Sequence, residues 1–255
     1  VGVGRAFGPP LTFEGSFCQL FLGDGKGSFV DVSERAGVQK MNPNTGSPMG
    51  KSLGVVACDL DRDGWMDVLV ANDTVQNFLF HNKGNGQFEE IGAESGIAFD
   101  TTGKARGAMG MDCREYRDDG KFAIAIGNFS NEMTAFYVNQ DSRRLFFADK
   151  AIAEGVGPPS QLWLKFGIFF FDYDLDGRPD LFTANGHLEE DIGKVQVSQT
   201  YAQPPQLLWN CGSEQRVVFV PIKAENAGPD LFKPLVGRGA AYADIDGDGD
   251  LDVLI

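Results

Sequence analysis

An aspartate-rich loop recurs four times along the chain, and this repetition limits the architecture more than any other feature. The copies are Ala57-Cys58-Asp59-Leu60-Asp61-Arg62-Asp63-Gly64-Trp65-Met66-Asp67-Val68-Leu69-Val70, Glu115-Tyr116-Arg117-Asp118-Asp119-Gly120-Lys121-Phe122-Ala123, Asp172-Tyr173-Asp174-Leu175-Asp176-Gly177-Arg178-Pro179-Asp180-Leu181-Phe182 and Asp244-Ile245-Asp246-Gly247-Asp248-Gly249-Asp250-Leu251-Asp252-Val253-Leu254. The spacing is about 57 residues between the first three and about 72 before the last. A period of this length belongs to stacked or radially repeated supersecondary units.

Between the loops lies a second repeated block, Gln19-Leu20-Phe21-Leu22-Gly23-Asp24-Gly25-Lys26-Gly27-Ser28-Phe29 and again Asn77-Phe78-Leu79-Phe80-His81-Asn82-Lys83-Gly84-Asn85-Gly86-Gln87-Phe88. Apolar strands flanking Gly, Asn and Asp read as hairpins, because those residues accept the positive φ of a tight turn. Weaker copies run from Thr134 to Phe147 and from Gln206 to Phe219. One period thus holds a strand entering the loop, a strand leaving it and an outer hairpin, which makes a four-stranded antiparallel unit. The expected fold class is all-β, a β-propeller of such blades, since radial repetition disposes of exposed sheet edges. A linear β-solenoid is the structural alternative, but its rungs are usually much shorter than this period.

The predicted repeat units of this single domain are 17–53 (partial), 54–106, 107–164, 165–237 and 238–255 (partial). The chain begins on an outer hairpin and stops after loop-flanking strands. Either these halves complete one another in a closed ring, or the chain is a fragment of a six- or seven-bladed propeller, which is the favoured expectation.

The loop pattern D-x-D-x-D-G-x-x-D suits a hard cation. Ca²⁺ takes six to eight oxygens, and carboxylates at alternating positions let a short loop curl around it. The predicted ligands are Asp59, Asp61, Asp63, the Trp65 carbonyl and Asp67; Asp172, Asp174, Asp176, the Arg178 carbonyl and Asp180; and Asp244, Asp246, Asp248, the Asp250 carbonyl and Asp252. The bidentate Glu that ends an EF-hand loop is missing from all three, and β-rich residues follow instead of a helix. Mg²⁺ seldom uses an all-protein cage, and no His or Cys joins the Asp as Zn²⁺ would require. In the second loop Glu115, Arg117 and Ala123 replace three ligands, so that loop, Glu115 to Ala123, is expected to hold no ion and to substitute a salt bridge from Arg117 to Glu115 or Asp119.

These loops, with Lys165-Phe166-Gly167, Ala184-Asn185-Gly186-His187, Gly127-Asn128-Phe129-Ser130-Asn131-Glu132 and Gly237-Arg238-Gly239-Ala240-Ala241, resemble the FG-GAP/VCBS repeat proteins and, within them, the CRTAC1-like, ASPIC/UnbV-associated group. The resemblance covers nearly the whole chain from about Phe17. It implies an integrin-α-like propeller with calcium on one rim, located at the cell surface or outside the cell, and it puts the ASPIC/UnbV module of that group beyond Ile255.

The rest of the composition bounds function by exclusion. Among 255 residues there are 33 Gly and 21 Phe, which fits short strands and tight turns. A formal charge of -14 disfavours nucleic acid as a partner, and three Ca²⁺ would leave about -8. No apolar run approaches a membrane span. The opening Val1-Gly2-Val3-Gly4 shows no signal peptide, as in a mature secreted chain or a cytosolic one. Cys18, Cys58, Cys113 and Cys211 lack metal or redox spacing and read as thiols, with a Cys18 to Cys211 bridge as the alternative. Asn72-Asp73-Thr74 and Asn128-Phe129-Ser130 are formal glycosylation sequons.

The expected function is therefore a calcium-binding extracellular, cell-surface or periplasmic module for adhesion or scaffolding, with a protein or glycan partner. Two alternatives use the same propeller. One is a carbohydrate-active lyase or dehydratase built around His187 with Glu189, Glu190 and Asp191, although capping is the simpler role for that histidine. The other is a lectin with Trp163 and Trp209 as platforms, although both follow apolar periodicity.

Overall fold

The computed structural model describes residues 8, 10–141, 143–212 and 216–255. The opening tetrapeptide Val1 to Gly4 and the turn at 213–215 of the last predicted hairpin lie outside them. The strands are β1 (Phe21–Gly23), β2 (Phe29–Asp31), β3 (Ser52–Cys58), β4 (Asp67–Asn72), β5 (Phe78–Asn82), β6 (Phe88–Glu90), β7 (Ala108–Glu115), β8 (Phe122–Asn128), β9 (Ala135–Asp141), β10 (Arg144–Asp149), β11 (Lys165–Phe171), β12 (Asp180–Asn185), β13 (Gln206–Asn210), β14 (Phe219–Pro221), β15 (Ala241–Ala243) and β16 (Asp252–Leu254). They form three four-stranded antiparallel sheets in sequential order, β3 to β6, β7 to β10 and β11 to β14, and two hairpins, β1-β2 and β15-β16. The fold is all-β, and each four-stranded sheet is one blade.

Packing between the sheets explains the sequence pattern. Each hydrophobic cluster bridges two consecutive sheets: Val70, Phe78 and Phe80 meet Val32 and Val38; Leu69 and Leu79 meet Ile124 and Ile126; Phe136 meets Phe170, Leu181 and Phe219; Phe169, Phe171 and Phe182 meet Ala240 and Val253. A strand covered on both faces needs apolar side chains on both, which is why β8 is buried almost throughout and reads as a near-continuous apolar run, while the equally buried β12 adds Asp180, Thr183 and Asn185 to its apolar residues. The innermost strands β3, β7, β11 and β15 stand next to one another in that order, as blades around an axis must. Their approach is close enough that a Cβ added at Gly110 would fall 1.8 Å from the Phe166 carbonyl oxygen. Only glycine permits that contact.

The two terminal hairpins remain separate two-stranded sheets, so they do not complete one another in this structure. Consequently β3 alternates between exposed and half-buried residues, with Val55 69% exposed. The four cysteines are free thiols, and the alternative Cys18 to Cys211 bridge is not formed. Cys18 instead neighbours Ser52, and Cys58 neighbours Cys113 across the first two blades.

Candidate metal centres

Each Asp loop joins the first two strands of its blade, and its geometry repeats. The first acid of the loop accepts backbone amides four and five residues on: Asp63 and Gly64 donate to Asp59, Asp176 and Gly177 to Asp172, and Asp248 and Gly249 to Asp244, all at 2.8–3.1 Å. The closing acid reaches back to the amide after the first: Leu60 donates to Asp67, Tyr173 to Asp180 and Ile245 to Asp252, at 3.0–3.3 Å. The loop glycines Gly64, Gly177 and Gly249 have φ of 93°, 87° and 98°, so the turn needs a residue without a Cβ. The residue after the second Asp is also left-handed in every copy, at Arg62 (62°), Leu175 (58°) and Gly247 (79°). Trp65, Arg178 and Asp250 occupy equivalent places, each amide donating to the acid two residues earlier.

Carboxylate oxygens gather into triads, each within 4.8 Å: Asp59, Asp61 and Asp63; Asp172, Asp174 and Asp180; Asp244, Asp246 and Asp248. Not every predicted ligand joins. Asp67 sits 3.0 Å from the His81 ring and takes the Asn82 amide, Asp176 pairs with the Arg178 guanidinium, and Asp252 holds Ile245. Burial, then the nearby Asp174 and Asp176, pushes the Asp180 carboxyl up to about 7. Burial also raises Asp67 and Asp174, and Asp248 raises its exposed neighbour Asp250. Such groups resist being charged together unless a cation compensates them.

These donor sets fit Ca²⁺. All are oxygens, and two ligands on opposite sides of one Ca²⁺ at about 2.4 Å lie about 4.8 Å apart, a separation that no pair within a triad exceeds.

The second loop keeps the scaffold with different chemistry. Glu115 accepts the Gly120 amide at 2.8 Å and so takes over the clamp of the first Asp. The salt bridge expected within this loop is absent. Arg117 has the longer reach toward the outer linker and pairs with Glu154 at 2.7 Å, whereas Glu115 is paired at 2.5 Å by Arg62 from the neighbouring loop.

An FG-GAP-like repeat matches residues 59–121, which span the first loop, the rest of that blade and the second loop. The chain carries an FG-GAP-like repeat. It is similar over 88% of its length to cartilage acidic protein 1 of Mus musculus and of Homo sapiens, each 26% identical over 234 residues, and to that of Xenopus tropicalis, 26% identical over 227. The chain spans about 30% of the length of these relatives.

Residues outside the loop, absent from the predicted ligand set, also hold the closing acid. Asn82 and Asn210 donate their Nδ2 to the carbonyls of Met66 and Pro179, and their own amides bind Asp67 and Asp180. The signal was present as an Asn at the same place in each outer hairpin, Asn82, Asn139 and Asn210. Asn139, whose blade has Ala123 in place of the closing Asp, leaves its buried Nδ2 without a partner among the described residues.

His187 lies at the opposite end of its blade, beyond β12. It is buried, its Nδ1 accepts the Glu189 amide at 3.0 Å, and its Nε2 meets Ser130 Oγ at 3.3 Å. Accepting at Nδ1 puts the proton on Nε2, so both ring nitrogens are engaged and the residue acts as a cap. The sequon asparagines Asn72 and Asn128 are likewise buried at strand ends, with Nδ2 donating to Gln76 and Met133 carbonyls. Trp163 and Trp209 are half-buried, and Trp209 stands beside Asp174. No helix among the described residues is long and apolar enough to cross a membrane.

Proposed function

We propose that this chain is a calcium-stapled propeller segment that acts as a binding or scaffolding module outside the cell, at its surface or in a periplasm, for a protein or glycan partner. The observation carrying this reading is the threefold repetition of an all-oxygen carboxylate triad on one rim, clamped by the same backbone amides each time. Asp59, Asp61 and Asp63, Asp172, Asp174 and Asp180, and Asp244, Asp246 and Asp248 would supply the side-chain oxygens. Asp67, Asp176 and Asp252, with the Trp65, Arg178 and Asp250 carbonyls, stand next in line. The ion would neutralise carboxylates that otherwise repel, and so couple folding to calcium. Extracellular modules bind Ca²⁺ with Kd on the order of 10⁻⁴ to 10⁻³ M, which makes such coupling responsive to millimolar calcium.

The test is thermal melting of EDTA-treated protein with and without added ion. At 1 mM Ca²⁺ each site contributes roughly 1 kcal/mol, and three sites should raise the Tm by roughly 10 °C. Mg²⁺ at the same concentration should do much less, because it demands a tighter octahedral shell. Identical melting with and without Ca²⁺ would sink the proposal.

A further inference from the structure

In a chain of formal charge -14, one cleft on the calcium rim is basic. It has a volume of about 850 Å³ and lies between the second and third blades, where Arg114, Arg117, Arg178 and Arg216 line it against only Glu115 and Asp118. The cleft is built on a fixed floor. Buried Asn210 ties the two blades together by donating Nδ2 to the carbonyls of Tyr116 at 2.9 Å and Pro179 at 3.0 Å. Arg178 is held over that floor by an Nε hydrogen bond to the Asn210 carbonyl at 2.8 Å. Arg117 lies over the Tyr116 ring, 5.0 Å from its centroid, while one of its nitrogens pairs with Glu154.

A guanidinium has five N–H donors, so the pairs Arg117-Glu154 and Arg178-Asp176 leave donors on both residues, and Arg114 and Arg216 form no ion pair among the described residues. Guanidinium groups recognise planar or tetrahedral oxyanions through paired hydrogen bonds. In the second loop Arg117 and Ala123 stand where the other three loops carry Asp, and the cleft sets two acids against four arginines.

We propose that this cleft binds a sulfated oligosaccharide of a few units, with sulfate groups on the arginines and sugar hydroxyls on Glu115 and Asp118. The mixture of signs selects this class. A nucleic acid long enough to run out of the cleft would meet the acidic surface around it, whereas an oligosaccharide of a few units keeps its sulfates within reach of the arginines and brings hydroxyl donors for the two carboxylates. The proposal names the partner of the binding module inferred above and rests on that reading.

The experiment is calorimetric titration of the protein in millimolar Ca²⁺ with a fully sulfated heparin-derived tetrasaccharide, its desulfated counterpart and an oligoglutamate peptide of equal charge. One site per chain is expected for the sulfated sugar, weakening as salt is raised. The exposed pair Arg114→Gln/Arg216→Gln should lower affinity at least about tenfold, since a hydrogen bond to a charged group is worth that much. Arg35→Gln/Arg143→Gln, in the short helix after β2 and in the β9–β10 turn and both outside the cleft lining, should leave it unchanged and controls for net charge. Absence of binding, equal binding of the desulfated sugar, tighter binding of the peptide, or equal losses in both double variants would each overturn the assignment. Calcium-dependent melting of the same samples separates the two readings: a calcium-responsive protein that ignores the sugar loses the cleft proposal and keeps the calcium one.

Discussion

Arg62 of the first Asp loop reaches across to Glu115 of the second at 2.5 Å, and Glu115 at the same time clamps the Gly120 amide. One acid therefore serves as loop staple and as inter-blade partner. Arg62 is 51% exposed at its side chain and Glu115 34%, so solvent screening keeps the pair itself to about 0.5 kcal/mol. Glu115→Ala should cost more than Arg62→Ala, by about 1 kcal/mol, because it also frees the Gly120 amide. A double-mutant cycle by urea denaturation checks this. Equal costs for the two single variants would show that the clamp contributes nothing.

Leu175 holds a left-handed backbone with φ of 58° while its side chain is 56% exposed. It therefore bears conformational strain without burying much surface in return. The equivalent place in the fourth loop is Gly247, with φ of 79°. Leu175→Gly should stabilise the fold by roughly 0.5 to 1 kcal/mol, as left-handed residues with a Cβ cost about that much or more. Urea midpoints at constant m-value give the measurement, and a lower midpoint would mean that the Leu175 side chain contributes packing that outweighs the strain.

Much of this arrangement is legible in the sequence, for a physical reason. The four-strand order of each blade follows from local signals: turn glycines, alternating loop acids and apolar runs all within one period. What could not be read were contacts between blades. The pairing of Arg62 with Glu115 and of Asn210 with the Tyr116 carbonyl joins residues far apart in sequence, and nothing local to Arg117 shows that Glu154 lies nearer to it than Glu115. Nor could spacing show which acids turn inward. Asp176 has the spacing of a ligand, yet Arg178 two residues on draws its carboxylate aside.

Lys165 is fully buried, its Nζ donating to the carbonyls of Glu132 at 2.6 Å and Ser160 at 2.9 Å. Burial lowers its pKa to about 7 against an ordinary 10.5, with Glu132 opposing the shift. Below pH 7 both folded and unfolded chains carry this proton and the burial penalty is fully present. Between about 7 and 10.5 only the unfolded chain keeps it, so the Lys165 contribution to stability rises with pH across that window. Lys165→Met should therefore flatten the pH dependence of melting between pH 7 and 9.5, where wild type gains at most about 1.4 kcal/mol per pH unit from this group. Parallel melting curves for the two proteins across that range would contradict the assignment.

His187 occupies the loop after β12 with 2% exposure and is bonded on three sides, through Nδ1 to the Glu189 amide, through Nε2 to Ser130 and through its carbonyl to Arg238 at 3.0 Å. Burial lowers its pKa below the ordinary 6.5, with Arg238 acting in the same direction and Glu189 against it. The neutral ring is thus the folded form near neutrality. On acidification the unfolded chain takes up the proton first, so this stabilisation is complete above pH 6.5 and declines as pH falls below it. His187→Ala removes the ring acceptor and leaves the Glu189 amide and Ser130 hydroxyl without their partner, which should cost about 2 kcal/mol at pH 7.5 and lower the Tm by about 5 °C. The gap to wild type should narrow at pH 5, below the ordinary 6.5, because there the unfolded chain takes up a proton that the buried ring resists. His187→Gln, which keeps an acceptor of similar reach, should recover part of the loss at pH 7.5 without the pH dependence. A His187→Ala protein that melts with wild type at both pH values would show that the cap does not hold this loop.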